Sequence, residues 1–180
     1  MKRLVSTLSI LLTCGVLAAC ADQPMGLSSP GAPVADLAPP GPFQPADFAW
    51  STRRGGSSIE GVLAYRGGGG RYTCDGGDVI LTPETAWSRR RMIILYGSAS
   101  AAAVPVSIVR ARTPGAPAGD YARFVRKTTC DAANHFEFEG LPQGSWFVIT
   151  VAKPIDGEGE TVAVTRRVDT RGGPRSVTLY

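Results

Sequence analysis

An all-β sandwich is what the sequence predicts, and three observations predict it. Eight short runs rich in β-branched and aromatic residues follow Trp50, at residues 59–65, 79–81, 104–110, 121–129, 136–138, 146–153, 161–168 and 176–179. Turn signals separate them: Gly67 to Gly70, Asp75-Gly76-Gly77, Pro114 to Gly119, Asp156-Gly157 and Gly172-Gly173-Pro174. About 130 residues lie beyond Trp50, enough for one hydrophobic core and not for two. Short strands at this spacing, punctuated by Gly and Pro, fit two packed sheets.

The chain begins with a cationic Met1-Lys2-Arg3 and an apolar run from Leu4 to Val16, lightly interrupted by Thr7, Ser9 and Thr13. That run is too short for a stable bilayer span and fits the apolar region of a signal peptide. It closes on Leu17-Ala18-Ala19-Cys20, which resembles the lipobox of bacterial lipoproteins. The resemblance implies cleavage before Cys20, a diacylglycerol on its thiol and, usually, an acylated amine. An ordinary signal peptide with a chance Cys is the plain alternative. Ala21 resembles outer-membrane sorting in enteric bacteria, but Asp22 beside it leaves inner and outer membrane both open.

Domain organisation follows: signal peptide 1–19, lipid anchor and tether 20–50, sandwich domain 51–180. From Ala21 to about Pro45 the composition is Pro, Ala, Gly and Ser, with seven prolines. Such a segment buries too little apolar surface to offset the entropy of ordering. In polyproline geometry, 25 residues would reach up to roughly 80 Å. Phe43, Phe48 and Trp50 are unusual for a linker. They either dock on the domain or form a short binding peptide, and docking is favoured.

Cys14 leaves with the signal peptide and Cys20 carries lipid, so Cys74 and Cys130 remain and are expected to pair in an oxidising envelope. The loop they close, about 57 residues, is worth about 4 kcal/mol in the chain-entropy model. With no Cys-x-x-Cys and a single histidine, a zinc site is not expected. Removing Lys2 and Arg3 from the 19 basic residues, against 15 acidic ones, leaves a mature chain near +2. No concentrated basic field points to nucleic acid.

One stretch departs from strand chemistry. Thr82-Pro83-Glu84 offers an N-cap, a first-turn proline and a first-turn acid, and Gly97 can close the far end. A helix over 84–96 is expected, although Met92 to Tyr96 also suits a strand.

"FEFEGLPQGSWFVITV" reads locally as a hairpin. Phe136 and Phe138 share one strand face, Gly140 to Gly144 break the chain, and Ser145 to Val151 form the return strand. With the preceding Cys130-Asp131-Ala132-Ala133-Asn134-His135, the block resembles the carboxypeptidase regulatory-like domains, a transthyretin-like Greek-key β-sandwich also used by bacterial adhesin repeats. The matching positions are Asp131, the pair Phe136 and Phe138, Gly140-Leu141-Pro142-Gln143-Gly144, and the aromatic Trp146. Asn134 stands where such domains often carry a turn Gly, and Asn tolerates a left-handed backbone. The resemblance implies that Gly144 permits the turn, Leu141 plugs the end of the sandwich and Trp146 fills its core. "YTCDGGDVILTPETAW" resembles uncharacterised envelope proteins bearing this domain, with Trp87 at their aromatic position. The fold hosts many unrelated roles, so it does not specify an activity.

Candidate chemistry is sparse. His135, the one histidine, is either a catalytic base or a surface turn residue, and the turn reading is favoured because no nucleophile elbow or triad spacing accompanies it. Asp156, Glu158 and Glu160 offer oxygen ligands for calcium, or simply a solvated turn. Arg89-Arg90-Arg91, and Arg110, Arg112, Arg123, Arg126 and Lys127, suit lipid phosphate, lipopolysaccharide or acidic glycan, or form a solvated face. Alternation through 121–129 puts Arg123 and Lys127 on one face and Arg126 on the other. Lys127 and Lys153, the mature chain's lysines, lie outside the first strand, so the isopeptide bond of adhesin relatives is not expected. Trp50 and Trp87 suit a sugar-stacking platform, but Trp87 reads as core. The expected function is a lipid-anchored, non-catalytic binding or structural module without cofactor or metal, partnered by membrane and by an envelope protein or glycan. Alternatives are a glycan-binding module or a small hydrolase using His135.

Overall fold

A computed structural model describes residues 41–68, 70–113 and 120–180. The expected signal peptide, Cys20, the tether up to residue 40, Gly69 and the turn at 114–119 lie outside the described residues. Two sheets pack face to face. The smaller has the order β10-β1-β7, formed by β1 (Ser57–Leu63), β7 (His135–Leu141) and β10 (Arg175–Leu179). Its β1 runs antiparallel to β7 but parallel to β10, with Ile59 opposite Arg175 and Leu63 opposite Leu179.

The larger sheet is organised around the ten-residue β8 (Ser145–Pro154). On one side β8 pairs with β4 (Asp78–Pro83), itself paired with β6 (Arg126–Thr129), and near its end with β3 (Gly70–Thr73), which forms a hairpin with β2 (Arg66–Gly67). On the other side lies β9 (Val162–Asp169), flanked by β5 (Ala101–Pro105). Ile59, Leu63, Val79, Leu81, Phe136, Phe138, Trp146, Val148 and Val164 fill the space between the sheets. The alternation of Phe136 and Phe138 with exposed neighbours on β7 puts both rings inside.

The sandwich stands as expected, with corrections in its elements. The stretch from Phe136 to Val151 is not a hairpin. Strand β7 pairs with β1 and β8 pairs with β3, β4 and β9, so Gly140 to Gly144 carry the chain across from one sheet to the other. Gly140 sits at φ 64°, the left-handed conformation an arch needs. Gly144 is required for a different reason: a Cβ there would come within 2.3 Å of the Trp50 ring.

The expected strand at 104–110 is divided. Strand β5 begins earlier, at Ala101, and ends at Pro105, after which α3 (Val106–Ala111) follows. The run of alanines, poor in β propensity, concealed the strand's true start. The expected strand at 121–129 is also divided, into a 3-10 helix at Asp120–Phe124 followed by β6. A three-residue spacing on such a helix puts Tyr121 and Phe124 on one side, toward a shared aromatic cluster. The strands β2 and β3 flank the Gly67 to Gly70 turn signal but were not expected, because the glycine-rich stretch carries little strand propensity.

The helix α2 (Ala86–Tyr96) forms where expected but starts later. Thr82 and Pro83 pair with Phe147 and Trp146 and extend β4. The cap is Thr85, in a reciprocal box with Ser88: Ser88 N donates to Thr85 Oγ1 at 3.1 Å and Thr85 N donates to Ser88 Oγ at 2.8 Å. Gly97, at φ 75°, closes the helix. Met92 packs with Phe147 on the outer face of the large sheet. More helix is present than the single one expected, because α1 (Pro45–Phe48) and α3 accompany α2.

Part of the stretch assigned to the tether is packed on the sandwich. Phe48 is fully buried, in contact with Phe43, Trp87, Tyr121 and Phe124. Burying one such ring is worth about 1.5–3 kcal/mol, enough to hold a short segment against fraying. Trp50 meets Trp146 edge to face, with ring centroids 4.9 Å apart. Cys74 and Cys130 form a disulfide, tying the end of β3 to the end of β6.

Candidate functional site

Two of the crossings between sheets, β7 to β8 and β9 to β10, meet at one end of the molecule, and polar side chains gather there. The β7–β8 arch brings Gln143, Gly144 and Ser145. The end of β9 brings Arg167 and Asp169, the β9–β10 connection Thr170 and Arg171, the link from β4 into α2 Glu84, and the first turn of α2 Arg89. Of these, Glu84, Arg89, Gln143, Gly144, Ser145, Arg167 and Arg171 line an open groove of about 520 Å³ together with Trp50.

Glu84 organises one wall. Its Oε2 accepts from Arg167 Nε at 2.6 Å and its Oε1 from Arg89 Nη1 at 2.9 Å. Ser145 organises the other. Its hydroxyl accepts from Arg167 Nη2 at 2.7 Å and from Arg171 Nη2 at 3.0 Å, and donates to Asp169 Oδ2 at 3.2 Å. Arg171 Nη2 reaches Asp169 Oδ2 at 2.7 Å, and Arg171 N donates to Asp169 Oδ1 at 2.9 Å. The side-chain bond first, then the backbone bond, hold the Asp169 carboxyl down at about 2. The guanidiniums are thus fixed in place by groups beneath them, with donors left over on the solvent side. Gln143, exposed at the arch, adds an amide that both donates and accepts.

A second groove, about 630 Å³, runs between β9 and β10 and shares Arg167 in its wall. Arg166 lies over the Tyr180 ring at 4.7 Å and donates to Thr178 O at 3.1 Å. Arg175 donates to Asp169 O at 2.8 Å and to Arg171 O at 2.7 Å.

The fold-motif residues take structural positions. Asp131 Oδ1 accepts from Ala133 N at 2.9 Å and His135 N at 2.7 Å, shaping the turn in which Asn134 adopts φ 65°. Asn134 Oδ1 accepts from Cys74 N at 2.9 Å. Leu141 and Trp146 are fully buried, and Pro142 is buried beside them. His135 is exposed on the outer face of the small sheet, where it lines a shallow depression with Glu60 and Ser176.

Among the described residues no group of three potential ligands gathers around a metal position, Asp156, Glu158 and Glu160 included. The basic runs do not form one patch: Arg123 pairs with Asp120, Lys127 with Asp78, and Arg91 lies over Trp87. Arg126 lies over Trp146 and donates to Ser51 O at 3.0 Å. Because 121–124 is helical, the two-face alternation expected through Arg123 does not apply. Trp50 and Trp87 share no platform, since Trp87 packs with Phe43, Phe48 and Tyr121 while Trp50 packs on Trp146.

Of the arginines that do gather, Arg89 was singled out in the sequence and Arg166, Arg167, Arg171 and Arg175 were not. Their signal was available in "RRVDTRGGPR", which carries Arg166, Arg167, Arg171 and Arg175 within ten residues.

This architecture defines a β-sandwich protein with its polar groove at the arch end. A similar fold is found in the crystal structure of "a putative carbohydrate binding protein" from Pseudomonas aeruginosa. The two align with a TM-score of 0.52 at 21% identity, over 77% of this chain and 97% of that one. No family model matches the chain, and no curated protein matches it.

Proposed function

We propose that this chain is a non-catalytic binding module that takes a glycan in the arch-end groove, carried at the cell envelope by lipid on Cys20. The observation behind it is Trp50 set among planar polar groups, the guanidiniums of Arg89, Arg167 and Arg171 and the amide of Gln143. A sugar offers an apolar face to an aromatic ring and hydroxyls to planar donors and acceptors, and sites with few oriented polar groups around an aromatic suit such ligands. The similar fold of a protein described as carbohydrate-binding supports the reading. Kinship with the carboxypeptidase regulatory-like domains belongs to it, resting on Asp131, Phe136, Phe138 and the Gly140 to Gly144 arch. The Cys74–Cys130 disulfide supports an oxidising compartment outside the cytoplasm.

The test is binding of the purified full-length protein to an array of bacterial and plant glycans, followed by titration calorimetry on the retained ligands. Gln143→Ala and Arg89→Ala, both at exposed positions, are expected to weaken binding without altering the melting temperature. An array with no retained glycan, or variants that bind as the parent does, sinks the proposal. For the anchor, Cys20→Ser is expected to move the protein from the membrane fraction to the soluble one.

A further inference from the structure

We infer that the glycan taken at the arch end is an acidic one, bearing uronate-type carboxylates; this rests on the glycan reading above. The inference comes from the supply of donors and acceptors. Arg89, Arg166, Arg167, Arg171 and Arg175 line the two adjoining grooves, and Glu84 and Asp169 are the acidic side chains among them.

Both carboxylates are already engaged. Glu84 has one oxygen on Arg89 and the other on Arg167. Asp169 has Oδ1 on Arg171 N and Nε, and Oδ2 on Arg171 Nη2 and Ser145 Oγ. The Ser145 hydroxyl accepts two guanidinium bonds and spends its proton on Asp169. For a neutral sugar, whose hydroxyls must donate as well as accept, the acceptors are the Gln143 amide, one further lone pair on each Glu84 oxygen and the hydroxyls of Ser176, Thr178 and Tyr180. These are outnumbered by the donors of five guanidiniums.

Guanidiniums, by contrast, carry five donors each and no acceptor. Arg166 and Arg175 have no carboxylate partner among the described residues. Their bonds go to the carbonyls of Thr178, Asp169, Pro174 and Arg171. The surplus is local, since the whole chain is nearly balanced at 19 basic to 15 acidic residues. A donor-rich, positively charged wall beside an aromatic ring is matched by a ligand of sugar rings carrying carboxylates, which guanidinium recognises bidentately.

The full-length protein is titrated with oligogalacturonate and with its methyl ester, which keeps the backbone and removes the charge, and with polyglutamate, which keeps the charge and removes the sugar. Oligogalacturonate is expected to bind at least about tenfold more tightly than either, with affinity falling as salt rises from about 50 to about 500 mM. Arg175→Gln should weaken it several-fold, and Arg175→Lys, which keeps the charge but not the planar fork, should restore only part of the loss. Equal binding of ester and acid, or binding of a neutral array glycan alone, overturns the acidic inference and leaves the glycan reading standing. Equal binding of polyglutamate overturns both, as does failure to bind any glycan at all.

Discussion

Thr170 and Gly144 hold each other from both sides: Thr170 N donates to Gly144 O at 2.8 Å, and Gly144 N donates to Thr170 Oγ1 at 3.1 Å. The β7–β8 and β9–β10 crossings are thereby joined, and the same hydroxyl reaches Pro142 O at 3.1 Å. Thr170 is fully buried. Thr170→Val keeps the shape but leaves the Gly144 N–H without its acceptor, which costs about 1–3 kcal/mol. Thr170→Ser, which keeps the hydroxyl, should lose distinctly less. Urea unfolding of the three proteins checks this, and equal midpoints for Val and the parent would remove the hydroxyl from the account.

Gly144 is needed for the space Trp50 occupies. Gly144→Ala should push the Trp50 ring off Trp146, shift the tryptophan emission and destabilise by about 1–3 kcal/mol, as overpacking does. The penalty should largely vanish in a Trp50→Ala background. A double-mutant cycle measures the coupling, and additivity would show that backbone conformation, not the ring, demands the glycine.

The disulfide closes a loop of sequence separation 56. Replacing Cys74 and Cys130 together by Ala should cost about 4 kcal/mol on the chain-entropy argument. Denaturant unfolding of the variant against the oxidised parent reads that loss, and parity between them would locate the stability elsewhere.

Asp169 links the site to pH. Arg171 holds its folded pKa at about 2, below the ordinary aspartate value of 3.8. A carboxyl depressed by folding contributes stability in full above its unfolded pKa, and loses it as pH falls through the folded one. The stability difference between the parent and Asp169→Asn should therefore be constant from pH 7 down to about 5 and shrink between about 4 and 2. Unfolding of both proteins across that range checks it. A difference that stays constant down to pH 2 would show that Asp169 titrates normally.

How much of this was legible can be judged residue by residue. Phe136 and Phe138 announced a shared strand face because alternation is a local property of the chain, whereas Leu141 and Trp146 were read as core through the resemblance of their block to a known family. Asn134 was read through the same resemblance, since it stands where a turn Gly is usual and Asn accepts a left-handed backbone. What failed was non-local. The breakers from Gly140 to Gly144 signal a change of direction, but whether the chain folds back in the same sheet or crosses to the other depends on β1 and β4 claiming the two strands. Tyr121 and Phe124 look equally at home in a strand, and only their common burial against Phe48 selects the 3-10 helix. The arch-end groove was hidden more deeply. Glu84, Ser145, Arg167 and Arg171 belong to three stretches of sequence, and an arginine's spacing does not reveal that a carboxylate far along the chain holds it in place.

The parallel pairing of β1 with β10 also has a mechanical meaning. Tension applied between the start of β1 and the end of β10 pulls the two strands along their length in opposite directions. Their rungs, from Ile59–Arg175 to Leu63–Leu179, are then loaded in shear and must break together rather than unzip one by one. Rupture under such a load is governed by the barrier to unfolding rather than by equilibrium stability. A molecule gripped at those two points would resist stretching beyond what its free energy of folding suggests.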